Sequence, residues 1–554
     1  MSETGDLAHL EAILDTSGVP AEIEMLLPVG VRRRQLHVRT LMLGILITLA
    51  EHRPAHLRRI HQALLGLADP DKRRLGVIVQ CKSGPHELTY RQVEYTFTRV
   101  VRALCKENPD GAPSQALSET IDSLIEASVT ALGRPQSTCL AVDWSDYESF
   151  ARPPRKPREK TEAHQNAQPA PADTDAPQQT QQEPQQHGEQ EQTQEQTQEQ
   201  DKDEDGKAGC ADTEAAWGHR KVNHPGKAQM FYGYYLQAAT IVKQDGGPEI
   251  PELVARITLA SCKHDPPAMI VPVLERMHKQ GIKLGDLLAD PGYSYRLPES
   301  FAAPIRALGA SLVMDLHPND RGINGTHMGA IIANGNLYCP ASPKALLQLG
   351  PPAPGATEEQ LAAHDQKTTE LSRYKLSPLT APDQDGYQRV ICPAAAGKIR
   401  CPLRPASIAL SHEHPTVLKA PEHPPACCTQ KTITVPASVN TKTAQKHDYP
   451  SKAFRHSYAR RTASERTFSR LNDPAGTDIS RGWSRLMGLT PNAIMLACAT
   501  IITNIHTADA FAARQAENQR RAACGLPPKR RRKRRQSIQE PAQQNANAPP
   551  AIAA

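Results

Sequence analysis

From Arg152 to about Glu214 the chain is a run of Pro, Gln and Glu, centred on QQTQQEPQQHGEQEQTQEQTQEQDKDEDG, with almost no apolar side chains. Such a segment cannot bury enough surface to offset the entropy of ordering, so it is expected to be disordered. Its position is the constraint. It follows directly on CLAVDWSDY, residues 139–147, an apolar run that reads as a strand. The segment at 151–215 is therefore an inserted loop and not a domain boundary. Any compact unit must be assembled from pieces distant in sequence.

At 554 residues the chain has the length for about two to four domains. Aromatics make up only 4% and there are 48 prolines, so part of the length is linker. The net charge of +6 is mild, but basic residues cluster at Arg32–Arg34, at Lys72–Arg74 and in the run Lys529–Arg535, while acid gathers around residues 184–205. Local basic patches suggest a polyanionic partner, with Lys529, Arg530 and Arg531 either touching nucleic acid or only solubilising a tail. No secretory signal pattern is visible at the N-terminus. The apolar stretches Leu41–Ala50 and Ala493–Ile505 read as buried helices: the first is short for a bilayer, and the second carries Thr500, Thr503 and Asn504. A cytoplasmic chain without membrane contact is expected, its 12 cysteines being reduced thiols or metal ligands.

Residues 1–134 read as wholly helical. Leu36–Glu51 is apolar, and Leu88–Lys106 is amphipathic with Val93, Phe97, Val100, Val101 and Leu104 on one stripe and Thr89 as N-cap. The outward face of that helix carries Arg91, Gln92, Arg99 and Arg102, either a reader of DNA or an ordinary solvated face. An α/β core is expected from 135–150 and 216–317: strands at Met230–Val242, Leu253–Ser261, Leu284–Asp290 and Ser311–Leu316, helices at Pro266–Gln280 and Pro298–Leu308. Residues 318–446 are Pro-rich and Cys-bearing, with short strand-like pieces, which argues for an inserted, largely β subdomain. The core resumes over 447–515, with helices at Ser457–Asn472 and Thr490–Gln515, and a disordered basic tail is expected at 516–554.

Three acidic residues sit in contexts that suit one metal site. Asp143 and Asp290 each end an apolar strand, and Glu465 lies in the helical SYARRTASERTFSRLND. Carboxylates at strand ends plus a helical Glu offer hard oxygen donors for two divalent cations, an arrangement suited to phosphodiester chemistry. At roughly 100° per residue, Tyr458, Arg461, Glu465 and Asn472 share a narrow helix face, with Arg461 suited to grip a phosphate. Asp146 competes with Asp143 but points to the opposite strand face. Asp286 reads as a solvated turn residue, and Asp265, after His264, as a cap for the helix at Pro266. Cys392, Cys401, Cys427 and Cys428 lie near His412, His414 and His423, but the spacing fits a zinc site poorly and buried thiols are the better reading.

The spacing Tyr458, two residues, Arg461, three residues, Glu465 resembles the signature of bacterial insertion-sequence transposases of the DDE type, the group with the YREK motif. Asp290, Gly292 and Tyr293 match that family's Asp-x-Gly-Tyr motif, Asp143 its first aspartate, and His264-Asp265 is similar to its His-Asp pair. The likeness covers residues 135–510 outside the two insertions. It departs at Asn472, where the family has Lys; Arg470 or Arg466 are candidates for that charge. The resemblance implies an RNase H-like core in which Asp143, Asp290 and Glu465 bind two Mg²⁺, with Mn²⁺ as substitute. It implies metal-dependent endonuclease cleavage at element ends, then strand transfer into target double-stranded DNA. No covalent protein–DNA intermediate is expected, and a homodimer would pair the ends. An RNase H-like nuclease without strand transfer, and a degenerate DNA-binding protein, are the alternatives.

Overall fold

The computed structural model describes residues 7–28, 34–81, 84–105, 111–154, 210–220, 229–383 and 386–529. Arg32, Arg33, Arg530, Arg531 and most of the segment read as disordered, 155–209, lie outside the described residues.

The chain opens with helices α1 (Leu7–Ser17), α2 (Val19–Leu26), α3 (Val38–Ala50), α4 (Leu57–Leu65) and α5 (Asp69–Arg74). This region is not wholly helical as expected: β1 (Ile78–Cys81) and β2 (Gly84–Glu87) pair antiparallel as a hairpin. The β-branched Val77–Val79 run favours extended backbone; Gly76, at φ 72°, follows the end of α5, and Gly84, at φ 112°, opens β2 opposite Cys81. Helix α6 (Tyr90–Leu104) starts with a Thr89/Gln92 capping box and buries Val93, Phe97, Val100 and Leu104. Helix α7 (Gln115–Ala131) follows, capped by Ser114.

A six-stranded mixed sheet forms the centre: β3 (Cys139–Glu148), β4 (Ala216–His219), β5 (Met230–Val242), β6 (Val254–Ser261), β7 (Asp286–Ala289) and β8 (Ser311–Met314). β3 is antiparallel to β5 and parallel to β7, and β8 runs parallel to β7. β6 and β4 pair with successive parts of β5, both antiparallel. Between strands lie α8 (Pro266–Lys279), the short α9 (Pro291–Ser294) and α10 (Ala302–Ala307). The helix expected over Pro298–Leu308 is shorter, because Pro298–Ser300 takes a 3-10 turn and Phe301 interrupts it at φ −148°.

The ends of the polar insertion are pinned together. Ser149 Oγ donates to Asp212 Oδ2 at 2.5 Å, Tyr234 OH to Asp212 Oδ1 at 2.6 Å, and the Cys210 thiol meets the Arg152 carbonyl at 3.5 Å. Trp217, on β4, packs edge-on to Tyr232 at 5.6 Å within the core.

Residues after β8 form two small three-stranded sheets: β9 (Ile323–His327), β10 (Ala330–Ala333) and β11 (Asn336–Tyr338), then β12 (Ser377–Pro378), β13 (Gln388–Ile391) and β14 (Ile433–Val435). Between them are α11 (Lys344–Leu347) and α12 (Glu358–Arg373), with α13 (Ala426–Thr429) ahead of β14. α12 was not expected: it buries only His364 and Leu371 and so lacks an apolar stripe, although a Thr357/Gln360 capping box marks its start.

The chain returns through α14 (Lys452–Tyr458), a 3-10 turn at Ala459–Arg461, α15 (Thr462–Leu471) and α16 (Leu489–Ala523). The single helix expected over Ser457–Asn472 is thus broken by that turn. α16 runs through Ala523, so the start of the segment expected to be a disordered tail is helical. It has the length and composition of a membrane span, yet 72% of its apolar window is buried inside the protein. One hydrophobic cluster runs from Leu10 through the sheet to Ile505, so the N-terminal helices share the core of the sheet.

Candidate functional site

The sheet sets Asp143 and Asp290 side by side. Val142 on β3 pairs with Ala289 on the parallel β7, and the next residue on each is an aspartate. Asp290 N-caps α9, its Oδ1 accepting from the Gly292 N–H at 2.8 Å. Gly292 is dictated by space: a Cβ there would stand 2.4 Å from the Trp144 ring and 2.8 Å from Asp290 Oδ1. Trp144 packs edge-on against Tyr293 at 4.8 Å, and Tyr293 against Phe301 at 4.8 Å. The Tyr293 hydroxyl is buried with no hydrogen-bond partner among the described residues. Burial, then the charges of Asp143, Asp290 and Asp265, hold its pKa far above the usual phenol value, so it stays a donor.

Glu465 arrives from α15. This helix buries Ala463, Ser464, Thr467, Phe468 and Leu471 on the sheet, where Thr467 Oγ1 meets Thr240 Oγ1 at 2.9 Å. Ser464 Oγ donates to Asp143 Oδ2 at 3.3 Å. That contact was missed in the sequence, although Ser464 lies three residues after Arg461 and so on its side of the helix. Arg461 joins two of the acids: Nη2 donates to Glu465 Oε1 at 2.5 Å, and Nη1 stands 3.7 Å from Asp143 Oδ2. Its guanidinium also lies over the Tyr458 ring, 5.6 Å from the centroid. Burial opposes the Arg461 charge, but Tyr458, Glu465 and Asp143 outweigh it and raise its pKa. Burial also raises the Tyr458 pKa against the pull of Arg461, with Asp315, Asp290 and Asp143 adding to the rise. The interruption at Ala459–Arg461 therefore leaves Tyr458, Arg461 and Glu465 in contact.

The Glu465 side chain is 54% exposed and turned to Arg461. Among the described residues no group of three or more His, Cys, Asp or Glu is disposed to hold a metal ion.

The other candidates are placed as follows. Asp146 turns away to Arg220, 2.8 Å distant. Asp286 is not the solvated turn residue expected: it is buried at the start of β7 and bound by Lys446 and Arg460, each at 2.8 Å. The two cations outweigh its burial and lower its pKa. A charged side chain on a short buried strand is tolerated there because both partners come to it from the returning chain. Asp265 occupies the N-cap of α8, but its carboxylate makes no cap bond and accepts from Arg296 Nε at 2.6 Å. Asn472 caps its own helix, donating to the Phe468 carbonyl at 2.9 Å. Arg466 and Arg470 both go to Glu252, at 2.8 Å and 3.3 Å, away from Glu465. Arg91 is exposed on α6, whereas Arg99 is committed to Tyr95 OH at 2.8 Å and the Pro28 carbonyl at 3.0 Å. Lys529 is exposed, its backbone N–H donating to Asn518 Oδ1 at 3.1 Å.

Comparison of the chain with known protein families, with curated proteins and with solved structures gives no match.

Proposed function

We propose that the protein is a DDE-type DNA transposase with an RNase H-like core, cutting phosphodiesters at element ends and transferring the freed strand into target DNA. The observation that carries this reading is the register that sets Asp143, midway along β3 and not at its end as expected, beside Asp290, directly after the parallel β7, with Arg461 linking Asp143 to Glu465 from α15. Supporting it further, β3 lies between the antiparallel β5 and the parallel β7, with β6 and β8 outside them, the strand arrangement an RNase H-like core requires.

The donor set fits Mg²⁺, or Mn²⁺ in its place, because Asp143, Asp290 and Glu465 offer only hard carboxylate oxygens. Glu465 would have to leave Arg461 to join the other two. When bound, the ions supply Lewis acidity that activates water and steadies the leaving oxygen. Arg461 grips the phosphate beside the scissile bond, and Tyr458 braces its guanidinium. Tyr293 offers a protonated hydroxyl next to the acids. The carboxylates act as ligands and not nucleophiles, so cleavage leaves a free 3′-hydroxyl, and that oxygen forms the new P–O bond as the target strand breaks. In this reading Arg91, Arg99 and the Lys529–Arg531 run add salt-dependent contacts to double-stranded DNA. The chain works on the nucleoid in the cytoplasm, as a homodimer when two ends are paired.

The test is cleavage of DNA taken from either side of the gene, with purified protein and Mg²⁺. Asp143→Asn, Asp290→Asn and Glu465→Gln should each abolish cleavage and leave DNA binding intact. Full cleavage by any one of these folded variants overturns the site. A second reading, a DNA-binding protein without catalysis, draws on Asn472 and on the capture of Glu465 by Arg461. Mg²⁺-dependent nicking that disappears on chelation excludes it.

A further inference from the structure

The three acids are near one another without forming a set. Asp143 and Asp290 come from neighbouring strands, while Glu465 is turned to Arg461 and is not disposed to share an ion with them. What keeps it apart is specific. Arg461 Nη2 donates to Glu465 Oε1 at 2.5 Å, and Nη1 of the same guanidinium stands 3.7 Å from Asp143 Oδ2. One cation already serves two of the carboxylates that an ion would serve.

The two partners are held with unequal firmness. The Arg461 side chain is 17% exposed and lies over the Tyr458 ring. Tyr458 stacks on Phe454 with centroids 5.4 Å apart and planes 13° from parallel. Phe454 meets Tyr449 at 4.9 Å, and the Tyr449 hydroxyl donates to Asp315 Oδ1 at 2.6 Å. Ala289 pairs with Met314, so Asp315 follows β8 as Asp290 follows β7, and this row of rings is tied to the same edge of the sheet. Glu465 has no comparable support. Its side chain is 54% exposed, and Arg461 is its ion-pair partner among the described residues. The residues on either side of it are docked. Ser464 Oγ donates to Asp143 Oδ2 at 3.3 Å, and Arg466 Nε donates to Glu252 Oε2 at 2.8 Å. An exchange of partners therefore falls on the Glu465 side chain and not on the helix.

We propose that Arg461 is a latch that withholds Glu465 from Asp143 and Asp290 until a DNA phosphate replaces it on the guanidinium, so that DNA and metal ion bind cooperatively. This rests on the reading of the three acids as metal ligands and states how that site is regulated. An exposed ion pair four residues apart on a helix is weak. A phosphate takes an arginine through two parallel charge-assisted bonds and so displaces it. The released carboxylate then joins the two aspartates. Linkage makes the coupling reciprocal: DNA tightens the ion by the same factor as the ion tightens DNA. Away from DNA the acid set stays incomplete, and an ion is held well only where a strand is already gripped.

The experiment counts Mn²⁺ bound to the full chain by electron paramagnetic resonance, with and without duplex DNA taken from beside the gene. Four proteins are compared: the parent, Arg461→Gln, Glu465→Gln and the double variant. Without DNA, Arg461→Gln should bind Mn²⁺ on the order of tenfold tighter than the parent, the scale for one group beside a metal. On the Glu465→Gln background the same change should gain nothing. An equal gain on both backgrounds reflects a lost charge alone and overturns the latch. Added DNA should tighten Mn²⁺ about tenfold in the parent and leave Glu465→Gln unchanged. Equal tightening in these two proteins also overturns it. Nicking is read separately. The expected binding pattern without Mg²⁺-dependent nicking leaves the latch standing and removes the transposase reading, whereas nicking without the pattern removes the latch alone.

Discussion

Arg461 holds Glu465 through a 2.5 Å hydrogen bond while standing 3.7 Å from Asp143, so one guanidinium spans two acids from different parts of the fold. Arg461→Gln removes that bridge. The exposed pair with Glu465 is worth less than about 1 kcal/mol, so the unfolding midpoint should barely move. Cleavage should fall on the order of 10²-fold, the usual cost of losing one charge-stabilising donor. Paired melting and Mg²⁺-dependent nicking assays read this, and undiminished nicking would remove Arg461 from the proposed phosphate contact.

Gly292→Ala asks whether the Asp290 turn is as tight as its geometry states. The added methyl meets the Trp144 ring at 2.4 Å and Asp290 Oδ1 at 2.8 Å. Overpacking of this kind costs about 1–3 kcal/mol, visible as a lower urea midpoint. Cleavage should drop further than stability does, because Asp290 must move to make room. A variant with parental midpoint and rate would show that the turn yields freely.

Asp286 sets an acid limb on stability. Burial raises its pKa, but Lys446 and Arg460 outweigh this and hold it below the ordinary value of 3.8. The stabilisation is therefore full above the unfolded pKa, about 4, and is lost as pH falls through the lower folded value. Asp286→Asn should lower stability at pH 7 by about 3–5 kcal/mol, since Arg460 is left buried with its partner gone. The same variant should lose less than the parent between pH 5 and pH 3 in urea titrations. Parallel acid limbs for the two proteins would contradict this.

Replacing residues 155–209 by a short Gly/Ser linker should leave the fold in place. Asp212 is bound by Ser149 and Tyr234 and Cys210 meets Arg152, so both ends are fixed by the core. Loop closure changes by only about 0.6 kcal/mol per halving of length, favouring the shorter chain. The urea midpoint should be equal or higher with an unchanged m-value. A fallen m-value would mean that the segment contributes to the packed unit.

What could be read from the sequence follows from what each element needs. β5 carries its own signal, an apolar β-branched run, and spans Met230–Val242 as expected. The face shared by Tyr458, Arg461 and Glu465 was visible through helical period, though the 3-10 turn within it was not. Asp286 was misjudged because its partners, Lys446 and Arg460, lie far along the chain, and a carboxylate's neighbours at that distance leave no local pattern. The β1–β2 hairpin was hidden by its short strands inside a helical region.

The attachment of Lys446 and Arg460 to Asp286 also bears on how such a chain can change over generations. Lys446 ends the long excursion after β8, and Arg460 opens the stretch that carries Glu465, yet both are moored to the first residue of β7. Asp290 directly follows the same short strand. The excursion can therefore lengthen, shrink or be exchanged without shifting the frame of the acidic residues. The mooring makes residues 318–445 an excursion whose length the frame of the acidic residues does not depend on.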